Sequence, residues 1–233
     1  MKNEYIPVIT IDGPTASGKG TIAQLLAKKL NWHYLESGLL YRALAFIAKS
    51  KKVPLTDDKN LAELAKHLDL TFSIENNETK ILLEAQDVSL FLRTEEISKA
   101  ASQVSQYELV RNALITRQKK FRQKPGLVTD GRDMGTVIFP DADLKIFMTA
   151  NADERAKRRH SQLQKLGIDG SIDAILSDLQ ERDFRDRTRK VVPLVPASDA
   201  IILDTTSLSV SKTFDQVWQL IQDKGMTEKD LGK

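Results

Sequence analysis

Several residue types and patterns are missing from this 233-residue sequence, and each absence excludes a class of function. There is no cysteine, which excludes disulfides, thiolate nucleophiles and cysteine-based zinc sites and suits a cytoplasmic location. The three histidines, His33, His67 and His160, are too scattered for a multi-histidine metal site. No apolar run reaches the roughly 18 residues of a membrane-spanning helix, so we expect no contact with a membrane.

The chain also lacks a concentration of charge of one sign. It has 35 Lys and Arg against 32 Asp and Glu, a net charge of +3, which is typical of a solvated surface. Aromatic residues make up only 6% of the chain, and no basic stripe contains stacking residues, so we expect no nucleic-acid partner. The length and the 41% of hydrophobic residues are typical of one globular domain with inserts, which we expect to be a monomer.

Short apolar runs alternate with segments of helical period. The first such segment places Ile22, Leu25, Leu26 and Leu30 on one helix face. Near-continuous apolar strands between helices indicate a parallel sheet that is covered on both faces. The sequence therefore predicts an α/β fold with a doubly wound, five-stranded parallel sheet. The predicted strands are Ile6–Ile11, Trp32–Leu35, Leu127–Thr129, Leu144–Met148 and Ala200–Leu203.

Two segments break this alternation. Thr71–Ile74 and Lys80–Leu83 are separated by a polar turn, a pattern that predicts an antiparallel hairpin in a small inserted lobe. Farther along, a polar-rich segment of helical period extends from about Glu95 to Arg122. The predicted organisation is therefore a core of residues 1–37, 105–150 and 192–233, an insert of residues 38–104, and a helical lid of residues 151–191.

The strongest chemical signal is a glycine-rich loop between the first predicted strand and the first predicted helix. Glycines open backbone conformations that other residues avoid, and the loop N–H groups and the helix N-terminus then attract phosphates. Lys19 adds a positive charge for the β- and γ-phosphates. This pattern predicts a P-loop that binds a nucleoside triphosphate. Its residues are Gly13, Pro14, Thr15, Ala16, Ser17, Gly18, Lys19, Gly20 and Thr21.

A P-loop alone does not define a function. An Asn-Lys-x-Asp motif and a transporter signature are both absent, which argues against GTPases and transport ATPases. Arg42 and Arg132 follow predicted strand ends, and further arginines lie in Arg182–Arg189. Arginines that bind phosphates in a bidentate manner indicate transfer to a phosphorylated acceptor, although Arg185 and Arg187 are expected to stay on the surface. Kinases for UMP, AMP or another metabolite remain alternatives, as does a non-catalytic nucleotide sensor or regulated ATPase.

Together, these motifs resemble the bacterial cytidylate kinase family in order and spacing, from about residue 6 to residue 220. The Asp-Gly-Arg-Asp-Met-Gly-Thr segment is far more specific than the P-loop. Glu36 stands where the family pattern has Asp, and Gly20 stands where many P-loops have Ser or Thr. The motifs that carry the resemblance are Gly13–Thr21, Glu36–Arg42, Ala101–Ser105, Asp130–Val137, Arg182–Arg189 and Pro193–Ala197.

The resemblance implies that the γ-phosphoryl group of ATP is transferred to CMP or dCMP. It implies that Arg158, carried by the lid, closes over the triphosphate and joins the P-loop residues in binding ATP. The implied catalytic residues are Lys19, Arg132, Arg158 and Arg182. The implied CMP site consists of Ser37, Tyr41, Arg42, Ser102, Arg111, Gly131, Arg132, Asp133, Arg182, Asp186 and Arg189.

Within that implied site, Arg42, Arg132 and Arg189 would hold the acceptor phosphate, and Arg182 and Asp186 would face the sugar. Cytosine has an exocyclic amino group that a carboxylate can bind and two acceptors that need donors. Asp133 suits the exocyclic amino group, whereas Ser102 and Arg111 suit the two acceptors. UMP would place a carbonyl against Asp133 and should be discriminated against.

Magnesium is the expected cofactor, because an ion that bridges the β- and γ-phosphates neutralises charge during transfer. We expect the nucleotide and water to hold it, with no direct protein ligand. No general base stands out, and an anionic phosphate acceptor can attack without one.

Overall fold

The computed structural model describes residues 5–75, 78–165 and 167–227. The strands in this part of the chain are β1 (Val8–Asp12), β2 (His33–Glu36), β3 (Leu70–Glu75), β4 (Glu78–Leu83), β5 (Gln86–Asp87), β6 (Leu127–Gly131), β7 (Leu144–Thr149) and β8 (Ile201–Asp204). The α-helices are α1 (Lys19–Leu30), α2 (Ser37–Ser50), α3 (Asp58–Lys66), α4 (Glu95–Val104), α5 (Glu108–Lys119), α6 (Ala152–Lys165), α7 (Ile172–Thr188) and α8 (Val210–Asp223).

The described residues form two compact units. The first unit lies within Met1–Leu35 and Lys120–Lys233, and the second lies within Glu36–Lys119. Each unit has its own sheet. In the described part of the chain, no helix combines the length and the apolar character needed to cross a membrane.

The first unit is built on a five-stranded sheet with the order β2-β6-β1-β7-β8. β1 pairs in parallel with both β6 and β7, and β7 pairs in parallel with β8. All five residues of β1 and of β6 are buried, as expected for central strands that are covered on both faces. The fold class and the five strands predicted from the apolar runs are confirmed.

The core of this unit packs α1 and α8 against the central strands. Ile22 and Leu26 of α1 and Val217 of α8 lie in one buried cluster with residues of β1, β6 and β7. Leu25 was expected on the same face of α1, but it is 41% exposed and lies outside this cluster. At 100° per residue, Leu25 lies at the margin of the stripe that Ile22 and Leu26 define, which places it toward solvent.

The second unit contains a three-stranded sheet with the order β3-β4-β5. β3 and β4 pair in an antiparallel register from Leu70 opposite Leu83 to Glu75 opposite Glu78. The predicted hairpin is confirmed, and the central turn residues 76 and 77 lie outside the described residues. The predicted helical segment from Glu95 is divided into α4 and α5, which begins at Glu108.

Candidate active site

The glycine-rich loop connects β1 to α1 at the carboxyl edge of the parallel sheet. Gly13 has a φ of 148°, and a Cβ atom there would lie 2.0 Å from the carbonyl oxygen of Met148. Gly18 has a φ of 93°, in the left-handed region. These two positions require glycine, the first because β7 approaches closely and the second because of its backbone conformation.

Lys19 is the first residue of α1, and its buried Nζ donates to the carbonyl oxygen of Pro14 over 3.0 Å. The Gly18 N-cap offers no side chain to the first N–H groups of the helix. The buried Ser17 Oγ has no hydrogen-bond partner among the described residues. Helix N–H groups without a side-chain cap, the positive end of the helix dipole and a lysine at one point together suit a phosphate group.

A cavity of about 430 Å³ adjoins this loop. One wall is formed by the loop and Met148, another by residues of α6 such as Lys157, and a third by Leu208 and Val210 after β8. Most of the lining residues are polar or charged, and Ile22, Met148, Leu208 and Val210 add an apolar surface. Its size and its position beside a phosphate site suit the adenosine part of a nucleotide.

Arg158 of α6 lies at this cavity and is held from three sides. Its Nη1 donates to the carbonyl oxygen of Ser17 over 3.2 Å and to Thr205 Oγ1 over 3.0 Å. Its Nε donates to Glu154 one turn earlier, also over 3.0 Å. The predicted ATP-binding arginine therefore contacts the P-loop backbone directly. Thr205, which anchors it, was not predicted from the sequence.

A second arginine on the same side of α6, Arg155, was also not predicted. It is buried and donates to both carboxylate oxygens of Asp183 on α7, with Nη1 3.1 Å from Oδ1. Its Nη1 also donates to the Thr15 carbonyl oxygen over 3.2 Å, and its Nε donates to the Ala150 carbonyl oxygen over 3.0 Å. Arg155 therefore joins the P-loop, the end of β7 and α7.

The predicted acceptor-phosphate arginines of the first unit gather around Asp186. Arg132 Nε donates to the buried Asp186 carboxylate over 2.8 Å, and its Nη2 donates to Thr15 Oγ1 over 2.6 Å. Burial by itself raises the pKa of Asp186, but Arg132, Arg182 and Arg189 together hold that pKa below its ordinary value. This arginine cluster therefore lies against the P-loop through Thr15.

Burial by itself lowers the pKa of Arg132, but the Asp186 carboxylate and further aspartates hold it above its usual range. Arg132 Nη1 also donates to the Gly131 carbonyl oxygen over 3.2 Å. Arg189 Nε donates to the Val192 carbonyl oxygen, which ties the end of α7 to the following loop. Arg132 is therefore charged, and backbone oxygens help to orient both guanidinium groups.

Asp130 and Asp133 flank Arg132 and are both buried. Asp130 Oδ1 accepts a hydrogen bond of 2.6 Å from Tyr34, and a Cβ atom at Gly20 would lie 3.8 Å from Asp130 Oδ2. Asp130 therefore adjoins the P-loop from the neighbouring strand. Among the described residues, no cluster of three or more histidine or acidic side chains could hold a metal by itself.

Asp12, the last residue of β1, is a third buried carboxylate at this edge. It accepts hydrogen bonds from the backbone N–H groups of Met134 and Gly135 over 2.9 and 2.8 Å. Burial raises the pKa of Asp12 to about 7, although these N–H groups and Lys19 lower it, and Asp133 raises it further. Asp12 links the strand before the P-loop to the segment that carries Asp133.

The other predicted acceptor-site residues belong to the second unit. Arg111 of α5 is buried, lies 5.7 Å from the ring centre of Tyr41, and donates to the Ser105 carbonyl oxygen over 3.1 Å. Ser102 Oγ is buried and has no partner within the described residues. Within this unit, a guanidinium and a hydroxyl are thus held by neighbouring helices. Ser37 is buried and begins α2, and Arg42 lies five residues later in the same helix with Nη1 3.5 Å from the Leu92 carbonyl oxygen.

Sequence comparisons assign the chain to a family. The family model described as Cytidylate kinase matches residues 9–223. Cytidylate kinase 1 of Haemophilus influenzae is 50% identical over 220 residues, which are 94% of this chain and 95% of that protein. The cytidylate kinase of Stutzerimonas stutzeri is 51% identical over 223 residues, 95% of this chain and 97% of that protein. The cytidylate kinase of Aeromonas salmonicida is 50% identical over 214 residues, with coverages of 92% and 93%.

These matches confirm the family indicated by the sequence motifs. They extend through the glycine-rich loop, the segment around Arg132 and the helices α6 and α7. The chain belongs to the cytidylate kinase family.

Proposed function

We propose that this protein transfers the γ-phosphoryl group of ATP to CMP or dCMP, with ADP and CDP or dCDP as products. The observation that carries the proposal is the 2.6 Å hydrogen bond from Arg132 Nη2 to Thr15 Oγ1. It joins a cluster of guanidinium groups to the phosphate-binding loop within one unit. Transfer between two nucleotides requires such adjacent anion sites, so that donor and acceptor phosphates meet end to end.

The donor site is formed by Gly13–Thr21 together with Arg158. The loop N–H groups and Lys19 would bind the β- and γ-phosphates, and the 430 Å³ cavity would take the adenosine. Arg158 lies at the wall of that cavity and contacts the carbonyl oxygen of Ser17. It would place its charge near the transferring phosphoryl group, where negative charge spreads in the transition state.

The acceptor phosphate would be bound by Arg42, Arg132 and Arg189. Guanidinium groups bind phosphate oxygens in a bidentate manner, which fixes both position and orientation. Arg182 would contribute to the same reaction, and Arg182 and Asp186 would also face the sugar. Positioning and charge neutralisation then account for the rate, because the acceptor oxygen is already anionic.

Cytosine would be recognised by Ser102, Arg111 and Asp133, and Ser37, Tyr41 and Gly131 would also contribute to CMP binding. The buried Ser102 Oγ and the guanidinium of Arg111 are donors that suit N3 and O2 of the base. The buried Asp133 carboxylate suits the exocyclic amino group. Uracil would leave that carboxylate opposite a carbonyl oxygen, which is costly in a buried site.

Magnesium fits the donor site. The buried Asp130 carboxylate adjoins Gly20, and Asp130 would hold a magnesium–triphosphate complex through water. Bound in this way, the ion would neutralise charge on the β- and γ-phosphates. The nucleotide and water would supply most of the ligands of the ion.

The same proposal covers the organisation of the chain. Residues 38–104 would be the acceptor-binding insert, residues 151–191 the lid, and residues 1–37, 105–150 and 192–233 the core. We expect a monomer that acts in the cytoplasm on small nucleotides, and not on nucleic acid or at a membrane.

A coupled assay of ADP formation tests the function. The purified protein is supplied with ATP and magnesium and with CMP, dCMP, UMP or AMP in turn. We expect kcat/KM for CMP or dCMP to exceed that for UMP by about 100-fold or more, since uracil lacks the donor that Asp133 needs. An Asp133→Asn variant should narrow this difference. A preference for AMP or UMP would identify another acceptor, and ADP release that is independent of any acceptor would indicate a regulated ATPase.

A further inference from the structure

We propose that Thr205 is a positioning residue of the triphosphate site: its hydroxyl holds the Ser17 carbonyl oxygen and Arg158 in the arrangement that binds ATP. Thr205 directly follows β8 and is not part of the glycine-rich loop itself. The inference deepens the proposed function and rests on it, because it concerns how the donor site is held in shape.

The physical basis is the geometry of the trans peptide group, in which the C=O and the following N–H point in opposite directions. A loop that directs N–H groups at an anion must turn its carbonyl oxygens away from it. Buried carbonyl oxygens need donors of their own, so the partners of these oxygens determine where the N–H groups point.

The carbonyl oxygens of this loop have such partners. The Pro14 oxygen accepts from Lys19 Nζ over 3.0 Å, and the Thr15 oxygen accepts from Arg155 Nη1 over 3.2 Å. The Ser17 oxygen accepts from Thr205 Oγ1 over 3.0 Å and from Arg158 Nη1 over 3.2 Å. Holding the Ser17 oxygen orients the peptide group whose N–H belongs to Gly18, at the start of the phosphate-binding helix.

Thr205 is itself rigidly placed. It is 1% exposed, and its backbone N–H donates to the Thr149 carbonyl oxygen over 2.8 Å, which continues the pairing of β8 with β7. Its hydroxyl has one proton, which it can give to the Ser17 oxygen or to the Thr149 oxygen 3.1 Å away. The same hydroxyl oxygen accepts from Arg158 Nη1 over 3.0 Å.

One hydroxyl group therefore connects the sheet edge, the loop and the arginine. The backbone oxygen of Thr205 accepts a further hydrogen bond from Arg158 Nη2, so the guanidinium is directed by two atoms of the same residue. Removal of the hydroxyl would leave the Ser17 oxygen with one donor fewer and Arg158 with one acceptor fewer. Both losses disturb residues of the proposed ATP site, and neither removes a contact of the proposed CMP residues Ser102 and Arg111 in the second unit.

The test compares Thr205→Val, which is similar in size but has no hydroxyl, with Thr205→Ser, which keeps it. The affinity for ATP is measured by calorimetry without acceptor, and kcat and the KM values for ATP and CMP by the coupled assay. For Thr205→Val we expect ATP binding to weaken about ten-fold, corresponding to the loss of one or two hydrogen bonds, and kcat to fall by a similar factor. KM for CMP should change by less than about two-fold, and Thr205→Ser should restore ATP binding.

Thr56→Val is the matched control, because Thr56 is exposed and lies in the second unit. If Thr205→Val does not fold, Thr205→Ala removes the same hydroxyl together with the γ-methyl group and is also expected to weaken ATP binding. Wild-type ATP affinity in a folded variant without the hydroxyl would overturn the inference. Absence of acceptor-dependent ADP formation in the unmodified protein would instead overturn the proposed function.

Discussion

Two arginine–aspartate pairs have their aspartates, Asp183 and Asp186, one turn apart on α7. The pairs differ in how completely the arginine is enclosed. Arg155 donates to both oxygens of Asp183, and its side chain is 4% exposed. Arg132 makes one hydrogen bond to Asp186, and its side chain is 16% exposed. Arg182 and Arg189 act on the Asp186 carboxylate as well. Both carboxylates are buried, so the difference lies in the arginines: Arg155 is enclosed, whereas Arg132 stays partly accessible and shares its carboxylate with two further cations.

The difference separates two uses of the same residue types. A closed bidentate pair connects elements, in this case α6, α7 and the P-loop, and its charge is satisfied within the protein. An open group of guanidiniums around one carboxylate has N–H donors and charge suited to a further anion. We therefore expect loss of the Asp183 pair to lower stability more than catalysis, and loss of the Arg132 group to do the reverse.

The largest effect is expected from Arg132→Lys. The ammonium group keeps the charge but cannot contact Asp186, Thr15 and a phosphate at once, so kcat/KM for CMP should fall about 10³-fold. The free energy of unfolding should fall by only about 1 kcal/mol. The coupled assay and urea denaturation measure the two quantities. Arg185→Lys is the control, since Arg185 is half-buried, like Arg132, but within the described residues pairs only with Glu181 one turn earlier on α7; equal losses in both variants would contradict the comparison.

Asp183→Asn should lower stability more than catalysis. It leaves the buried Arg155 with an uncompensated charge, and the free energy of unfolding should fall by about 3 kcal/mol. In the folded protein, kcat should fall less than about ten-fold, because Arg155 still has the Thr15 and Ala150 oxygens as acceptors. Asp173→Asn, in the exposed first turn of α7, should stay within about 0.5 kcal/mol of the unmodified protein in urea denaturation.

A smaller effect is expected on the pH dependence of the free energy of unfolding, because of the buried carboxylates. The pKa of Asp12 is raised to about 7, so its contribution to stability is complete below its unfolded pKa of 3.8 and is lost as the pH rises through 7. The pKa of Asp186 is lowered, so its contribution is present above pH 3.8 and is lost as the pH falls further. Asp12→Asn should therefore flatten the decline in unfolding free energy between pH 5 and pH 8, by on the order of 2 kcal/mol.

Denaturant unfolding at several pH values measures this slope. Asp186→Asn should leave the slope between pH 5 and pH 8 unchanged, because that carboxylate titrates below this window. An equally steep decline in the Asp12→Asn variant would assign the titration to a different group.

The fold was predictable because its signals are local. The runs that become β1 and β6 begin with apolar and β-branched residues that do not alternate with charged ones, as is typical of strands covered on both faces, and the β3–β4 hairpin follows from two short strand-like segments separated by a polar turn. The division between α4 and α5 was not predicted. Helical period continues through Ser105, and that residue's carbonyl oxygen accepts from Arg111 only once the helices have packed.

The candidate site was predictable to the extent that its residues occur in compact motifs. The P-loop residues are consecutive, and Arg132 and Asp133 stand next to a strand end. Thr205 is 188 residues from Ser17, and Arg155 is 28 residues from Asp183. Each resembles an ordinary residue in its own neighbourhood, a threonine after a strand or an arginine in a charged helix, so no local signal identifies it.

The sequence by itself determined the order of elements, the phosphate-binding loop and the family, because each depends on residue types at short spacing along the chain. The tertiary structure decided which of several arginines are enclosed, which carboxylates share a buried edge, and what holds the loop carbonyl oxygens. Those properties depend on desolvation and on distances between elements that are remote in sequence, and they arise only when the sheet has brought its strand ends together.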